Sequence, residues 1–182
     1  MTTVKILIEG YVCDETGGKT CSTITLVKDG DLNMIVDPGT VSDPKVLINV
    51  LAKENLSVED INIIGLTHSH IDHSRSTGMF PKAKILDHTG SWEGDIWTEL
   101  NNKVTDNIQI LKTPGHSDDS ITFLVQTDEG VIAICGDVFW KENEPKKDPY
   151  AVDHDQLNKS RQLILNKVDY IIPGHGGKFK VK

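Results

Sequence analysis

Apolar residues recur along this chain at two spacings, two and roughly 3.6, and the changes from one to the other mark its elements. Positions 4–8, 22–27 and 32–36 alternate apolar and polar residues as half-buried strands do. Between the last two runs, Lys28-Asp29-Gly30-Asp31 carries the Asp-Gly pair of a tight hairpin. Asp37-Pro38-Gly39 stops the third run. A helix is predicted next: Asp43 can cap it, Pro44 suits its first position, and Val46, Leu47, Val50 and Leu51 form one apolar face. Ser57-Val58-Glu59-Asp60 resembles a capping-box turn and leads into 61–66, an almost continuous apolar run suited to a strand buried on both faces.

The second half repeats this order. Positions 84–86 predict a short strand, and 92–100 a loop with a helical turn. Runs at 108–111, 121–126 and 131–135 predict further strands, the last two joined by a turn at Thr127-Asp128-Glu129-Gly130. An amphipathic helix over 153–166 presents Leu157, Ile164 and Leu165, with Val168 just beyond, and 170–172 forms a strand ended by Pro173-Gly174. Two halves of strands, helix and strand can stack their sheets face to face with helices outside, which is a four-layer αββα sandwich of the α/β class. No linker, repeat or low-complexity stretch interrupts the chain, so residues 1–182 are read as one domain.

Composition narrows the function classes. The chain is 37% apolar and 25% charged, as in an ordinary globular protein, and no apolar run approaches bilayer-spanning length. The N-terminus lacks the apolar core and cleavage site of a secretory signal, so a cytoplasmic protein with no membrane partner is expected. A net charge of −8 and a pI near 5.3 disfavour nucleic-acid binding, which leans on a basic face. Cys13, Cys21 and Cys135 are too few for a disulfide framework, and Cys135 lies in an apolar run as a buried strand residue would.

The chemistry is concentrated in seven residues: His68, His70, Asp72, His73, His116, Asp137 and His175. Four fall within His68-Ser69-His70-Ile71-Asp72-His73, and the other three follow singly, each past an apolar run. Imidazole and carboxylate are ligands of zinc and similar divalent ions. Seven exceed the needs of one tetrahedral ion and suit two ions sharing a carboxylate. In an extended backbone His68 and His70 point to one side. Asp72 and His73 fall where the chain turns, so they can face the other flank of one cavity. His88 and His154 read as ordinary surface residues. No nucleophile-elbow motif supplies a Ser or Cys nucleophile.

Taken in order, Asp37-Pro38-Gly39, Thr67-His68-Ser69-His70-Ile71-Asp72-His73, Thr113-Pro114-Gly115-His116-Ser117, Cys135-Gly136-Asp137-Val138-Phe139 and Pro173-Gly174-His175-Gly176 resemble the motifs of the metallo-β-lactamase superfamily. The resemblance covers nearly the whole chain. It implies the αββα fold, one metal held by His68, His70 and His116, a second held by Asp72, His73 and His175, and Asp137 bridging both. It implies that Asp37 orients a ligand loop through hydrogen bonds, and that Asp72 and Asp137 take part in catalysis. Two divalent ions are expected, zinc first, with iron or manganese as alternatives. The implied reaction is attack of a metal-bridging hydroxide on a small ester, thioester or lactone. The alternatives are a nuclease or phosphodiesterase acting on RNA or DNA, a mononuclear iron oxidoreductase, and a weak, promiscuous β-lactamase.

A chain ending seven residues after His175 is expected to lack the C-terminal helical domain of glyoxalase II enzymes. Substrate selection then falls to loops at 14–19, 88–100 and 139–150, whose aromatics include Trp92 and Trp140, the expected substrate-binding pair. A small-molecule substrate and a monomer or homodimer complete the expectation.

Overall fold

The computed structural model describes residues 1–13, 18–143 and 145–181. Strand β1 (Thr2–Ile8) is followed by a small separate hairpin, β2 (Tyr11–Cys13) and β3 (Lys19–Cys21), and then by β4 (Ile24–Asp29) and β5 (Leu32–Val36). β1 pairs antiparallel with β4, and β4 with β5 around Gly30, whose positive φ of 61° suits glycine in the predicted Asp-Gly turn. Helix α1 (Pro44–Lys53) starts as its sequence requires, with the Asp43 carboxylate accepting from the Lys45 N–H. It crosses to β6 (Ile63–Gly65), which lies parallel to β5. The short helix α2 (Ile71–Ser74), β7 (Lys84–Leu86) and the hairpin β8 (Gly90–Glu93) and β9 (Ile96–Glu99) complete a seven-stranded sheet ordered β1-β4-β5-β6-β7-β8-β9.

The second sheet comprises β10 (Ile108–Lys112), β11 (Ile121–Thr127), β12 (Gly130–Ile134), β13 (Tyr170–Ile172) and β14 (Phe179–Lys180), with helix α3 (His154–Leu165) linking β12 to its parallel neighbour β13. Three apolar cores separate four layers. Leu47 and Leu51 of α1 pack on Ile24, Leu26, Ile35 and Ile64 of the first sheet. Val27, Met34 and Val36 meet Ile108, Ile121, Phe123 and Ile134 between the sheets. Leu157 and Ile164 of α3 cover Ala133, Cys135 and Ile171 on the far side. This is the expected αββα sandwich. Among the described residues, no helix is long and apolar enough to cross a membrane.

The structure corrects the reading of 92–100. No helical turn forms there. Trp92 pairs with Trp97 and Glu93 with Ile96 across Gly94-Asp95, with Gly94 at a φ of 63°. Aromatic and β-branched residues on both sides of a Gly-Asp pair favour a two-residue hairpin. The strand expected over 22–27 begins only at Ile24, because the Ser22 and Thr23 N–H groups donate to the Asp72 and Gly174 carbonyls instead. Those two bonds tie the first sheet to the loops that carry the candidate ligands. Of the loop expected at 14–19, positions 14–17 lie outside the described residues, as does position 144 of the loop at 139–150.

Candidate metal centre

All seven candidate ligands sit on connections at one edge of the sandwich. His68 and His70 follow β6, Asp72 and His73 ride on α2, His116 lies between β10 and β11, Asp137 follows β12 and His175 follows β13. They form two groups: His68, His70, His116 and Asp137 in one, and Asp72, His73 and His175 in the other, with the ligand atoms of each group within 4.8 Å of one another. Asp137 touches both. Its Oδ1 is 3.2 Å from His73 Nε2 and 3.2 Å from His175 Nε2, and its Oδ2 is 3.4 Å from His116 Nε2. Asp72 Oδ2 lies 3.6 Å from His175 Nε2 and accepts the Thr20 hydroxyl at 2.7 Å.

The outer partners fix which ring nitrogen carries the proton. The Thr67 hydroxyl donates to Asp37 Oδ2 at 2.7 Å, so at 3.1 Å it must accept from His68 Nδ1. His73 Nδ1 donates to Asp37 Oδ2 at 2.8 Å, and His116 Nδ1 to Asp148 Oδ2 at 2.6 Å. His175 Nδ1 faces the Cys21 carbonyl at 3.0 Å, which can only accept. Four imidazoles are thus fastened from behind by Nδ1–H and turn Nε2 lone pairs inward. His70, the exposed member, presents Nδ1 at 3.0 Å from His68 Nε2 and 3.1 Å from His116 Nε2.

This donor set fits divalent cations. Lone pairs converging at about 3 Å repel unless a positive charge lies among them. Two buried atoms at the centre, His73 Nε2 and Asp137 Oδ1, have no hydrogen-bond partner; their mutual 3.2 Å approach is not aligned as a hydrogen bond. Burial and the neighbouring His73 push His68 well below the ordinary histidine value, so it is neutral at pH 7 as a ligand must be. Burial, followed by His116, also lowers His70. Burial opposes a charge on His73, but Asp137 and Asp37 outweigh it and hold His73 well above the ordinary value. Burial likewise opposes a charge on Asp137, yet His73 and His175 together outweigh it and keep that carboxylate well below the ordinary range. The centre therefore demands positive charge, which a cation supplies better than one proton.

Asp37 sits at a left-handed φ of 52°, unusual for a non-glycine residue, and its carboxylate also accepts the Thr67 N–H at 2.8 Å. Its side chain thereby clasps Thr67 and His73 together, while its backbone N–H donates to Gly65 of β6. Gly174 packs so closely that any side chain there would strike the Asp137 carboxylate. Sequence reasoning missed Asp148, which is wholly buried behind His116 although it stands in a lysine-rich surface run. It also missed the Cys21 carbonyl, because a backbone acceptor leaves no mark in side-chain chemistry.

A cavity of about 400 Å³ opens onto the cluster, bounded by Val12, Gly18 and Thr20 on one side and Trp140 and Tyr150 on the other. Trp140 and Tyr150 are stacked, with ring centroids 5.7 Å apart and 14° between planes. Trp140 also lies edge-on to His116 and His175. Trp92 does not line this cavity; it is on the β8–β9 hairpin opposite Trp97. That hairpin occupies the edge of the first sheet, beyond β7.

An αββα sandwich with a histidine and aspartate cluster on its rim defines a class of metal-dependent hydrolases. The family model of the metallo-beta-lactamase superfamily matches residues 18–109, and the chain belongs to that superfamily. The chain is 30% identical to a probable metallo-hydrolase of Methanocaldococcus jannaschii, over 96% of this chain and 87% of that protein. It is 28% identical to metallo-beta-lactamase domain-containing protein 1 of Xenopus laevis, over 98% of this chain and 81% of the relative. Among solved structures, a metallo-beta-lactamase-like protein of Thermotoga maritima superposes with a TM-score of 0.80 at 21% identity, covering 98% of this chain and 99% of that one. A dizinc quorum-quenching lactonase, AidC, in complex with a product, N-hexnoyl-L-homoserine, superposes with a TM-score of 0.66 at 17% identity, covering 87% and 73%.

Proposed function

We propose that this chain is a dinuclear zinc hydrolase acting on small esters, thioesters or lactones. The observation that carries the reading is the pair of abutting ligand groups that meet at Asp137 beneath an aromatic-walled cavity. His68, His70 and His116 would hold one ion, Asp72, His73 and His175 the other, and Asp137 would serve both. When bound, the ions would supply Lewis acidity towards the substrate and lower the pKa of a water towards neutrality. The chain's residues do the rest. Asp37, Thr67, Asp148 and the Cys21 carbonyl hold the imidazoles in one tautomer and orientation, so little reorganisation accompanies the reaction. Asp72, lining the cavity and held by Thr20, would take up a proton at its carboxylate during the reaction. Trp140 and Tyr150 offer a flat apolar wall for the part of the substrate beyond its scissile bond, and help exclude water from it. The lactonase of the same fold, seen with its product, is consistent with a small acyl substrate.

The test is a panel of thioester, lactone, lactam and single-stranded RNA substrates, run on zinc-loaded protein with and without chelator. Chelator-sensitive turnover of a thioester or lactone supports the reading. Turnover of RNA alone, or turnover that survives removal of all metal, contradicts it.

A further inference from the structure

We propose that a recess beside Asp72, bounded by Lys19 and Arg75, binds an anionic group carried by the substrate, a carboxylate in particular. The inference rests on the hydrolase reading and specifies which substrates that site takes. A second cavity of about 440 Å³ is lined by Lys19, Thr20, Thr40, Ser42, Asp72 and Arg75, together with neighbouring apolar residues. It shares Gly18, Thr20 and Asp72 with the cavity above the metal cluster, so the two form one groove that passes the candidate ligands.

Two cations without an ion pair line this recess, beside the candidate ligands, in an acidic chain. Lys5, Lys82, Lys84, Lys103 and Lys178 are each engaged by a glutamate or aspartate on the surface. Of the two arginines, Arg161 is half-buried and spends its Nε–H on the Val138 carbonyl. Arg75 is the other, is exposed, and among the described residues neither it nor Lys19 makes an ion pair. Asp72, the one carboxylate among the described lining residues, is occupied by Thr20 and turned towards His175.

Both cations adjoin residues of the candidate centre along the chain. Arg75 closes α2, its N–H donating to the Ile71 carbonyl, and stands three residues after Asp72 on the same helical face. Lys19 precedes Thr20, whose hydroxyl holds Asp72. An anion held by Arg75 and Lys19 would lie in the groove that runs past the candidate ligands. The guanidinium fork matches a carboxylate with two parallel hydrogen bonds, and a phosphate shares that chemistry.

The experiment uses the zinc-loaded full chain and paired S-phenyl thioesters of glutaric acid, one ending in a free carboxylate and one in the carboxamide. The expected wild-type kcat/KM favours the acid roughly fivefold to tenfold, as two partly exposed charge contacts allow. In R75Q/K19Q that ratio falls towards one, R75K is intermediate, and added salt erodes the wild-type preference. Because the ratio compares two substrates on one protein, a general loss of activity cancels from it. A phosphate-ended thioester distinguishes which anion fits better. Equal kcat/KM on the wild type, or a preference that survives R75Q/K19Q, overturns the proposal. If no thioester is turned over, the hydrolase reading fails separately, and calorimetry with glutarate monoanilide and its amide still decides this one. Tighter binding of the acid that weakens in R75Q/K19Q supports the recess; equal binding, or an acid preference unchanged in R75Q/K19Q, sinks it.

Discussion

Replacing Asp148 with Ala tests how far the centre depends on what stands behind its ligands. The Asp148 carboxylate is fully buried, accepts from His116 Nδ1 at 2.6 Å, and with its other oxygen accepts the Tyr150 N–H at 2.9 Å. The substitution leaves the donor of a buried imidazole without a partner and frees the segment that carries Tyr150. An unsatisfied buried donor costs about 1–3 kcal/mol of stability. Loss of the group that fixes a ligating histidine typically costs about tenfold to a hundredfold in metal affinity, equivalent to about 1.4–2.7 kcal/mol. Zinc affinity is measured by competition with a chromophoric chelator, and stability of the metal-free chain by urea denaturation. D148N, whose amide oxygen can still accept from Nδ1–H, should recover much of the loss. Zinc affinity in D148A within twofold of wild type would refute the claim that Asp148 sets the orientation of His116.

Four other outcomes follow from the same geometry. D137A removes the carboxylate shared by both ligand groups, so metal content and hydrolysis should fall together in elemental analysis and activity assays; full activity at unchanged metal content would count against its bridging position. G174A drives a methyl group onto the Asp137 carboxylate, at an overpacking cost of about 1–3 kcal/mol, visible as a lower melting temperature and weaker metal retention. L51A opens a cavity between α1 and the first sheet, lowering unfolding free energy in urea by about 2–5 kcal/mol, whereas a change below about 0.5 kcal/mol would mean the helix is not docked as described. Burial raises both the Cys21 and Cys135 thiols, so their thiolates are absent at neutral pH, and peptide mapping after iodoacetamide should find them unmodified until urea is added.

The sequence made the ligands readable because their chemistry has no cheap structural explanation. Three histidines and an aspartate crowded into six residues past a buried strand would be costly unless a cation gathered them. The layers were legible from the order of helical and extended apolar runs, although β4 and β5, whose alternation suggested half-buried strands, are buried on both faces because each is covered by α1 on one side and the second sheet on the other. What stayed hidden depends on contacts distant in the chain. Nothing local marks Asp148, because a carboxylate among lysines looks solvated until the fold carries it 32 residues back to His116. The positive φ of Asp37 accompanies its grip on Thr67 and His73, which lie 30 and 36 residues away in the chain. Trp92 and Trp140 look alike as loop aromatics; the hairpin registry that places Trp92 across from Trp97 emerges only once β8 and β9 pair.

The most direct test of the account is the metal content of the purified chain. After zinc loading and gel filtration, elemental analysis should find two zinc ions per chain, with H116A and H175A each retaining about one. A wild-type chain that binds a single ion, or that hydrolyses its substrate at full rate with none, would contradict the paired centre on which the proposed chemistry rests.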